Sequence, residues 1–515
     1  MVQEPLRAPI SIVIDERNYR WLFEHLFPGD SDEHGAILLA GLASTPRGSR
    51  LLVRDVILAE DGIDYVPGKR GYRALTAQFV AQGISQSADE KLCYLAAHCH
   101  GGKDSVGFSA DDYASHQRGY PTLLDINGGR PVGALVFAQN AVAGEIWTRS
   151  GRQRLDSMRI VGRHIRNVYP NLRQRRQVQY SEYDRQTRLF GNVGQEILGD
   201  LRIGIVGLGG GGSLLNEWLS RLGIGSIVGV DFDRIDITNL PRVIGATRWD
   251  ARSLLTVSGI PWLKRIGKRF AAKKVHIARR IARRANPKID FEAIDGDVLD
   301  NRVAMKLRDV DFLFLASDSI QSRLVFNALV KQYMIPGVQV GAKVSADKTT
   351  GEITDIFTAT RLVLPGVGNG CLDCANCIPA SLLQAEAISD GERRQQKYVD
   401  DPEVAEPSVI TLNVLSAAQA ANDLMMMFTG LFLEDAPLLH QMNFARERKI
   451  EFVASNSNPS CLDCGDTSNS RRSRGDSVRL PCRERRGHNE TGYGHYSECP
   501  CKCIEPVEKL KHQEQ

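Results

Sequence analysis

The stretch LRIGIVGLGGGGS, residues 201–213, is an apolar strand running into a glycine-rich turn, and the SLLNEWLSRLG that continues from Ser213 reads as a helix. A strand that delivers glycines onto a helix N-terminus exposes backbone N–H groups and the positive end of the helix dipole, an arrangement that binds phosphate. Gly207, Gly209, Gly210 and Gly212 let the backbone approach such a ligand. The next strand, SIVGVDFD, carries Asp231 at its end, about 20 residues on, where a carboxylate holds ribose hydroxyls. A long basic helix (KKVHIARRIARRAN) and the strands DFEAID and DFLFLASD follow, which predicts a doubly wound parallel sheet. The glycines alone fit a dinucleotide dehydrogenase as well as a triphosphate.

The flanking residues separate the two. Tyr183-Asp184-Arg185-Gln186 stands upstream; Asp231-Phe232-Asp233, Thr238-Asn239-Leu240-Pro241-Arg242, Lys274 and Ser317-Asp318 stand downstream. Hydride transfer has no use for arginine and lysine converging on carboxylates, whereas cleavage at an α-phosphate must neutralise charge and hold Mg²⁺. On these ordered elements the segment from about 180 to 466 resembles the ThiF/MoeB family, the ubiquitin-activating-enzyme-like adenylyltransferases. The resemblance implies a Rossmann-like α/β adenylation domain using ATP and Mg²⁺. Asp231, with Asp233 beside it, would hold the ribose; Asn239, Arg242 and Lys274 would grip the phosphates; Asp318 would anchor the magnesium. Arg185 would reach the neighbouring subunit's site, implying a homodimer. The stretch from Asp250 to Lys273 is longer than the family usually has, and it leaves Lys273 as the alternative to Lys274.

Of the eleven cysteines, only Cys93 and Cys99 precede residue 371. Cys371-Leu-Asp-Cys374 and Cys461-Leu-Asp-Cys464 are two Cys-x-x-Cys knuckles, and four thiolates make a closed tetrahedral zinc site of the structural kind. Cys377 is left over. It is a nucleophile for a thioester, a zinc ligand in place of Cys371, or inert.

Residues 1–150 alternate apolar runs with polar turns and read as an α+β domain. His98-Cys99-His100 ends one apolar run, where period-two alternation puts both imidazoles on one face. With Asp112 they form a three-ligand zinc site with one position open for water, the catalytic arrangement. His-x-His followed by Ser109-x-x-Asp112 resembles the JAMM/MPN metalloproteases, and Glu33 ahead of GAILLAG (35–41) completes the pattern. The resemblance implies that Glu33 moves the proton of the zinc-bound water and that Ser109 stabilises the oxyanion. Gly101 stands where that family has proline, and the spacer from Gly101 to Phe108 is about one residue longer.

The whole chain holds 515 residues, 65 Lys+Arg against 61 Asp+Glu, and 42% hydrophobic residues, enough for two or three cores. The most apolar stretch, 413–433, is broken by Asn422 and Asp423, so no membrane span is expected; the N-terminus lacks a secretory pattern, and the expected location is cytoplasmic. Segment 264–288 has eleven Lys/Arg and no acid, but few aromatics for base stacking and an apolar helix face (Val275, Ile277, Ala278, Ile281), which argues against nucleic acid. The expected organisation is a JAMM/MPN-like domain (1–150), an Arg-rich linker (151–180), a ThiF/MoeB-like adenylyltransferase domain (181–466) and a basic, disordered tail (467–515).

Both resemblances imply one substrate: the C-terminal glycine carboxylate of a ubiquitin-like or sulfur-carrier protein. One half would adenylate it, the other would process it, as in bacterial ubiquitin-like modification pathways with a conjugating enzyme as further partner. The alternatives are sulfur-carrier activation for cofactor or siderophore biosynthesis, an inactive binding scaffold, and a nicotinamide-dependent dehydrogenase.

Overall fold

A computed structural model describes residues 8–66, 73–172, 181–346, 352–387, 408–436, 440–454 and 457–483. Two eight-stranded sheets organise them. The first is built from β1 (Ile10–Asp15), β2 (Gly35–Thr45), β3 (Gly48–Leu58), β4 (Cys93–Cys99), β5 (Val132–Phe137), β6 (Val142–Thr148), β7 (Gly151–Val161) and β8 (Arg166–Val168), with α1 (Glu16–Leu26), α2 (Ala77–Asp89) and α3 (Ala110–Ile126) between them. Its order is β1-β3-β2-β4-β5-β6-β7-β8, and β1 also pairs with β7, so the sheet curls closed on itself with β8 outside the closure. Alternate residues of β2 feed two cores: Leu38 and Ala40 join Ile12, Leu95 and Met158, while Ile37 and Leu39 join Phe79, Tyr94 and Tyr120. Burial on both faces explains why the strand reads as an unbroken apolar run.

The second sheet runs β11-β10-β9-β12-β13-β14-β15-β16. Parallel strands β9 (Arg202–Val206), β10 (Ser226–Val230), β11 (Asp290–Ile294), β12 (Phe312–Leu315) and β13 (Gly337–Ala346) are extended by antiparallel β14 (Ile353–Val363), β15 (His440–Phe444) and β16 (Lys449–Val453). The helices are α4 (Asp184–Asp200), α5 (Gly210–Arg221), α6 (Ser253–Thr256), α7 (Pro261–Phe270), α8 (Lys274–Ala285), α9 (Asn301–Ala304), α10 (Ile320–Tyr333), α11 (Ala380–Ala387) and a final helix, Ile410–Thr429. The long stretch after Asp250 forms α6 and α7, which leave Trp262 and Phe270 exposed. Among the described residues no helix is long and apolar enough to cross a membrane.

Two parts of the expected organisation are corrected. Residues 151–168 are not a linker: β7 pairs with β1 and β6, burying Leu155, Met158 and Ile160 between its arginines. The arginines look solvated in the sequence because their counter-charge lies far away. Arg159 meets Asp311 at 2.6 Å, and Arg50 and Arg47 approach the same carboxylate at 3.7 and 3.3 Å. Asp311 also accepts from the Arg202 amide at 2.8 Å. Burial alone would raise the Asp311 pKa, but the three guanidiniums hold it well below the usual range. Asp311→Ala leaves these cations facing one another unpaired and is expected to cost about 3–5 kcal/mol, read as a lower urea midpoint.

Nor are residues 467–483 a disordered arm; residues 484–515 lie outside the described ones. The strap fills a seam between the sheets. Arg472 donates to Arg54 O at 2.6 Å, Ser473 N to Lys331 O at 2.9 Å and Asp476 N to Leu42 O at 2.7 Å. Its approach needs Gly41, where a Cβ would stand 2.0 Å from Ser473 O. Arg472 and Arg474 are buried with carbonyl and carboxylate partners, Arg474 bonding Glu90 at 3.1 Å, so their number signals hydrogen bonding inside the fold and not solvation.

Candidate functional site

The C-terminal ends of β9–β12 open into a cleft of about 760 Å³, within the range of small-ligand sites. Gly207 adopts φ +86° there, and a Cβ on Gly212 would meet Gly207 O at 1.8 Å, so the turn folds tightly onto the start of α5. Gly209 is the N-cap of α5 with no side chain capping the helix, and a Cβ added to it meets nothing within 4 Å. Free amides and open space together form a cradle for an anion. The Arg242 side-chain stem lies 3.8 Å from the Cβ position of Gly210.

Asp231 is buried; one carboxylate oxygen accepts from Leu208 N at 2.7 Å and the other from Asp233 N at 2.8 Å. Burial raises its pKa. These bonds aim the carboxylate and leave a lone pair on each oxygen for hydroxyl donors. Lys274 bridges Asp233 at 2.6 Å and approaches Asp231 at 4.0 Å, lining the cleft. Lys273 turns instead to Phe232 O and Asp295. Asp318, with Ser317 and Ser319, lines the β12 side.

Two expected residues lie elsewhere. Asn239 accepts from Asp236 N at 3.1 Å as part of a capping box on the turn Ile237–Asn239, and it does not line the cleft. Its Oδ1 holds the turn that presents Arg242. Arg185 is exposed near the start of α4, also away from the cleft lining. Conversely, Asn413, Glu386 and Arg483 line the cleft without having been anticipated, because each arrives from a segment more than 60 residues beyond Asp318. Glu386 accepts from both Ile320 N and Gln321 N at 2.9 Å, capping α10.

Below α10 the four sulfurs of Cys371, Cys374, Cys461 and Cys464 lie within 4.8 Å of one another. Cys371 and Cys461 are 3.7 Å apart and Cys374 and Cys464 are 3.5 Å apart, close to the edge of about 3.8 Å of a tetrahedron with ~2.3 Å zinc–sulfur bonds. Cys371 is pulled down to about 5, first by the Cys464 hydrogen bond. Asn327 ties the knuckles together by accepting from Leu372 N and donating to Asp463. Lys331, fully buried and donating to Leu364 O and Asn369 O, adds positive charge nearby. Cys377 lies outside this group: its thiol donates to Ala375 O at 3.5 Å.

In the first sheet, antiparallel pairing sets Gly35 opposite His98 and so brings Glu33 to the end of β4. The facing Nε2 atoms of His98 and His100 are 3.1 Å apart, and Asp112 stands 3.6 and 3.5 Å from them. Three donors at such separations match one face of a tetrahedron whose edges are roughly 3.3 Å for ~2.0 Å bonds. Glu33 reaches to 3.7 Å from His100, and burial raises its pKa. Cys99 points the opposite way, accepting from His34 N. Ser109 caps α3 and donates to Asp112 at 2.7 Å. Its hydroxyl hydrogen is thus directed at the Asp112 carboxylate and not at open space.

The fold and cleft define a Rossmann-type α/β protein whose glycine turn, buried Asp231 carboxylate and cationic side chains line one cavity. The chain belongs to the ThiF family, which matches residues 183–463. It is 32% identical over 178 residues to the molybdopterin-synthase adenylyltransferase of Escherichia coli K12, covering 34% of this chain and 62% of that one. It is 30% identical over 171 residues to the tRNA threonylcarbamoyladenosine dehydratase of the same strain, covering 33% and 57%. The sulfur carrier protein ThiS adenylyltransferase of Bacillus subtilis 168 is 27% identical over 287 residues, covering 55% and 71%. The chain therefore spans about three fifths of the length of the two E. coli relatives. The crystal structure of E. coli MccB with ATP aligns with a TM-score of 0.41 at 19% identity, covering 56% of this chain and 75% of that one.

Proposed function

We propose that the cleft adenylates the C-terminal glycine carboxylate of a ubiquitin-like or sulfur-carrier protein. The reading rests on one observation: the Gly209 cradle, Arg242, Lys274, Asp231 and Asp318 all line the same cavity. A carboxylate oxygen of the partner attacks the α-phosphorus of ATP; the bond from that phosphorus to the bridging oxygen of the β-phosphate breaks, and pyrophosphate leaves. Asp231 orients the ribose, the α5 N-terminus and Arg242 hold the phosphates, and Lys274 offsets charge on the α-phosphoryl group. Magnesium, when bound, screens the departing pyrophosphate, and Asp318 is the residue to hold it. The exposed Arg185 is assigned to a second subunit's cleft in a homodimer. The test is ATP–pyrophosphate exchange with a glycine-terminated partner; exchange that never depends on any such partner overturns the reading.

The four-cysteine group is assigned to structural zinc, supported by its tetrahedral sulfur spacing. Zinc there would cross-link two knuckles that are far apart in sequence. Cys464→Ser is expected to remove one zinc per chain by elemental analysis and to lower thermal stability. An unchanged metal content sinks the assignment. Cys377, outside the group, is then the thiol that attacks the acyl-adenylate carbonyl, expelling AMP and forming a thioester that passes to a conjugating enzyme, and Cys377→Ser would abolish an adduct cleaved by added thiol or hydroxylamine.

The His98–His100–Asp112 centre is assigned to a second zinc in a JAMM/MPN-like peptidase acting on the same C-terminus. Bound zinc supplies an acidified water. Glu33 accepts its proton, and Ser109 orients Asp112 as an outer partner. The donor spacings and the reach of Glu33 support this reading.

A further inference from the structure

The strap that follows the second cysteine knuckle reaches the nucleotide cleft at Arg483, and nothing in the adenylation reading accounts for it. Its last described residue, Arg483, is locked by backbone bonds on both sides: Arg483 N donates to Leu299 O at 2.7 Å, and Asn301 N donates to Arg483 O at 3.3 Å. Asp300 and Arg483 form a parallel bridge. Just before it, the half-buried Cys482 points at Val298 O. Main-chain bonds at Arg483, with Cys482 and the buried Leu480 just before it, pin this part of the strap without the Arg483 side chain, which faces the cavity and donates to Gln321.

The sheet order says which part of a nucleotide lies there. Strand β10, which Asp231 directly follows, sits between β9, which leads into the glycine turn, and β11. A nucleotide with phosphates on the turn and ribose on Asp231 therefore directs its base toward β11, over the loop Gly296–Leu299 that Arg483 overlies. A guanidinium is planar and weakly hydrated, and it stacks on aromatic faces as an ammonium does not.

We propose that Arg483 is a nucleotide-binding residue that covers the purine base of ATP, delivered by a strap that also seals the two sheets together. The inference rests on the cleft being a nucleotide site. It gives the strap a second role: the same run of residues that buries Arg472 and Arg474 against the first sheet completes the base pocket of the second.

The test is equilibrium binding of ATP and of AMP to the full-length protein carrying Arg483→Ala or Arg483→Lys, followed by calorimetry. Because the strap is held there by main-chain bonds, both variants keep the fold, and an unchanged melting temperature verifies it. A residue on the base is common to both ligands, so the alanine variant should weaken ATP and AMP alike by about tenfold. Lysine, which keeps the charge but loses the flat face, should recover little of it. Unchanged affinities overturn the inference, and so does a loss confined to ATP, which would put Arg483 on the β- and γ-phosphates. Failure of the wild-type protein to bind either ligand overturns the nucleotide reading itself, a distinct outcome.

Discussion

Arg242→Ala is expected to lower partner-dependent ATP–pyrophosphate exchange by about 10²–10³-fold, with a smaller change in the KM for ATP. The side chain runs beside the glycine turn, 3.8 Å from the Cβ position of Gly210, and the backbone amide of Arg242 is tied to Asn239 O at 3.0 Å. That tie fixes where the side chain leaves the backbone, which limits the rearrangement Arg242 would need to meet phosphate oxygens in the proposed complex. Charge on the departing pyrophosphate grows as the α-phosphorus bond breaks, so a fixed guanidinium is worth more in the transition state than in the bound ground state. Asp318→Ala should cost a similar factor for a different reason, and raising the magnesium concentration should recover part of it. Exchange retained within threefold in both variants would remove the assigned roles.

Glu33→Gln should lower cleavage of a C-terminally extended partner by 10²–10⁴-fold while leaving one zinc bound at the first sheet, since the substitution keeps shape and removes only the base. His98→Ala should instead lose that zinc as well as the activity. The distinction follows from position: His98 contributes a donor atom 3.1 Å from that of His100, whereas Glu33 stands outside the three-donor face at 3.7 Å. Full cleavage by the Glu33 variant would assign the proton transfer to another group.

Much of the candidate cleft was legible because its parts are local. The glycine turn, Asp231 and Lys274 each sit at the end of one strand or the start of one helix, and strand ends of a parallel sheet necessarily converge at one edge. The His-x-His pair was legible for the same reason, since two residues in one strand share a face. The local hydrogen bonds of Asn239 and Ser109 were not legible: Asn239 Oδ1 accepts from the backbone of its own turn, and the Ser109 hydroxyl donates to Asp112 in the first turn of α3.

What the sequence determined by itself is the alternating strand–helix order, the glycine cradle, the two cysteine knuckles and the two-histidine strand end, all of them short-range patterns set by backbone geometry. What only the tertiary structure decided is where the arginines go. Arg50 and Arg159 from strands of the other sheet, and Arg47 from its β2–β3 turn, converge on Asp311, and Arg472 and Arg474 are buried in the seam. A charge count cannot separate a solvated cation from one whose partner is 150 or 400 residues away, because the interaction depends on distance in space and the sequence records only distance along the chain.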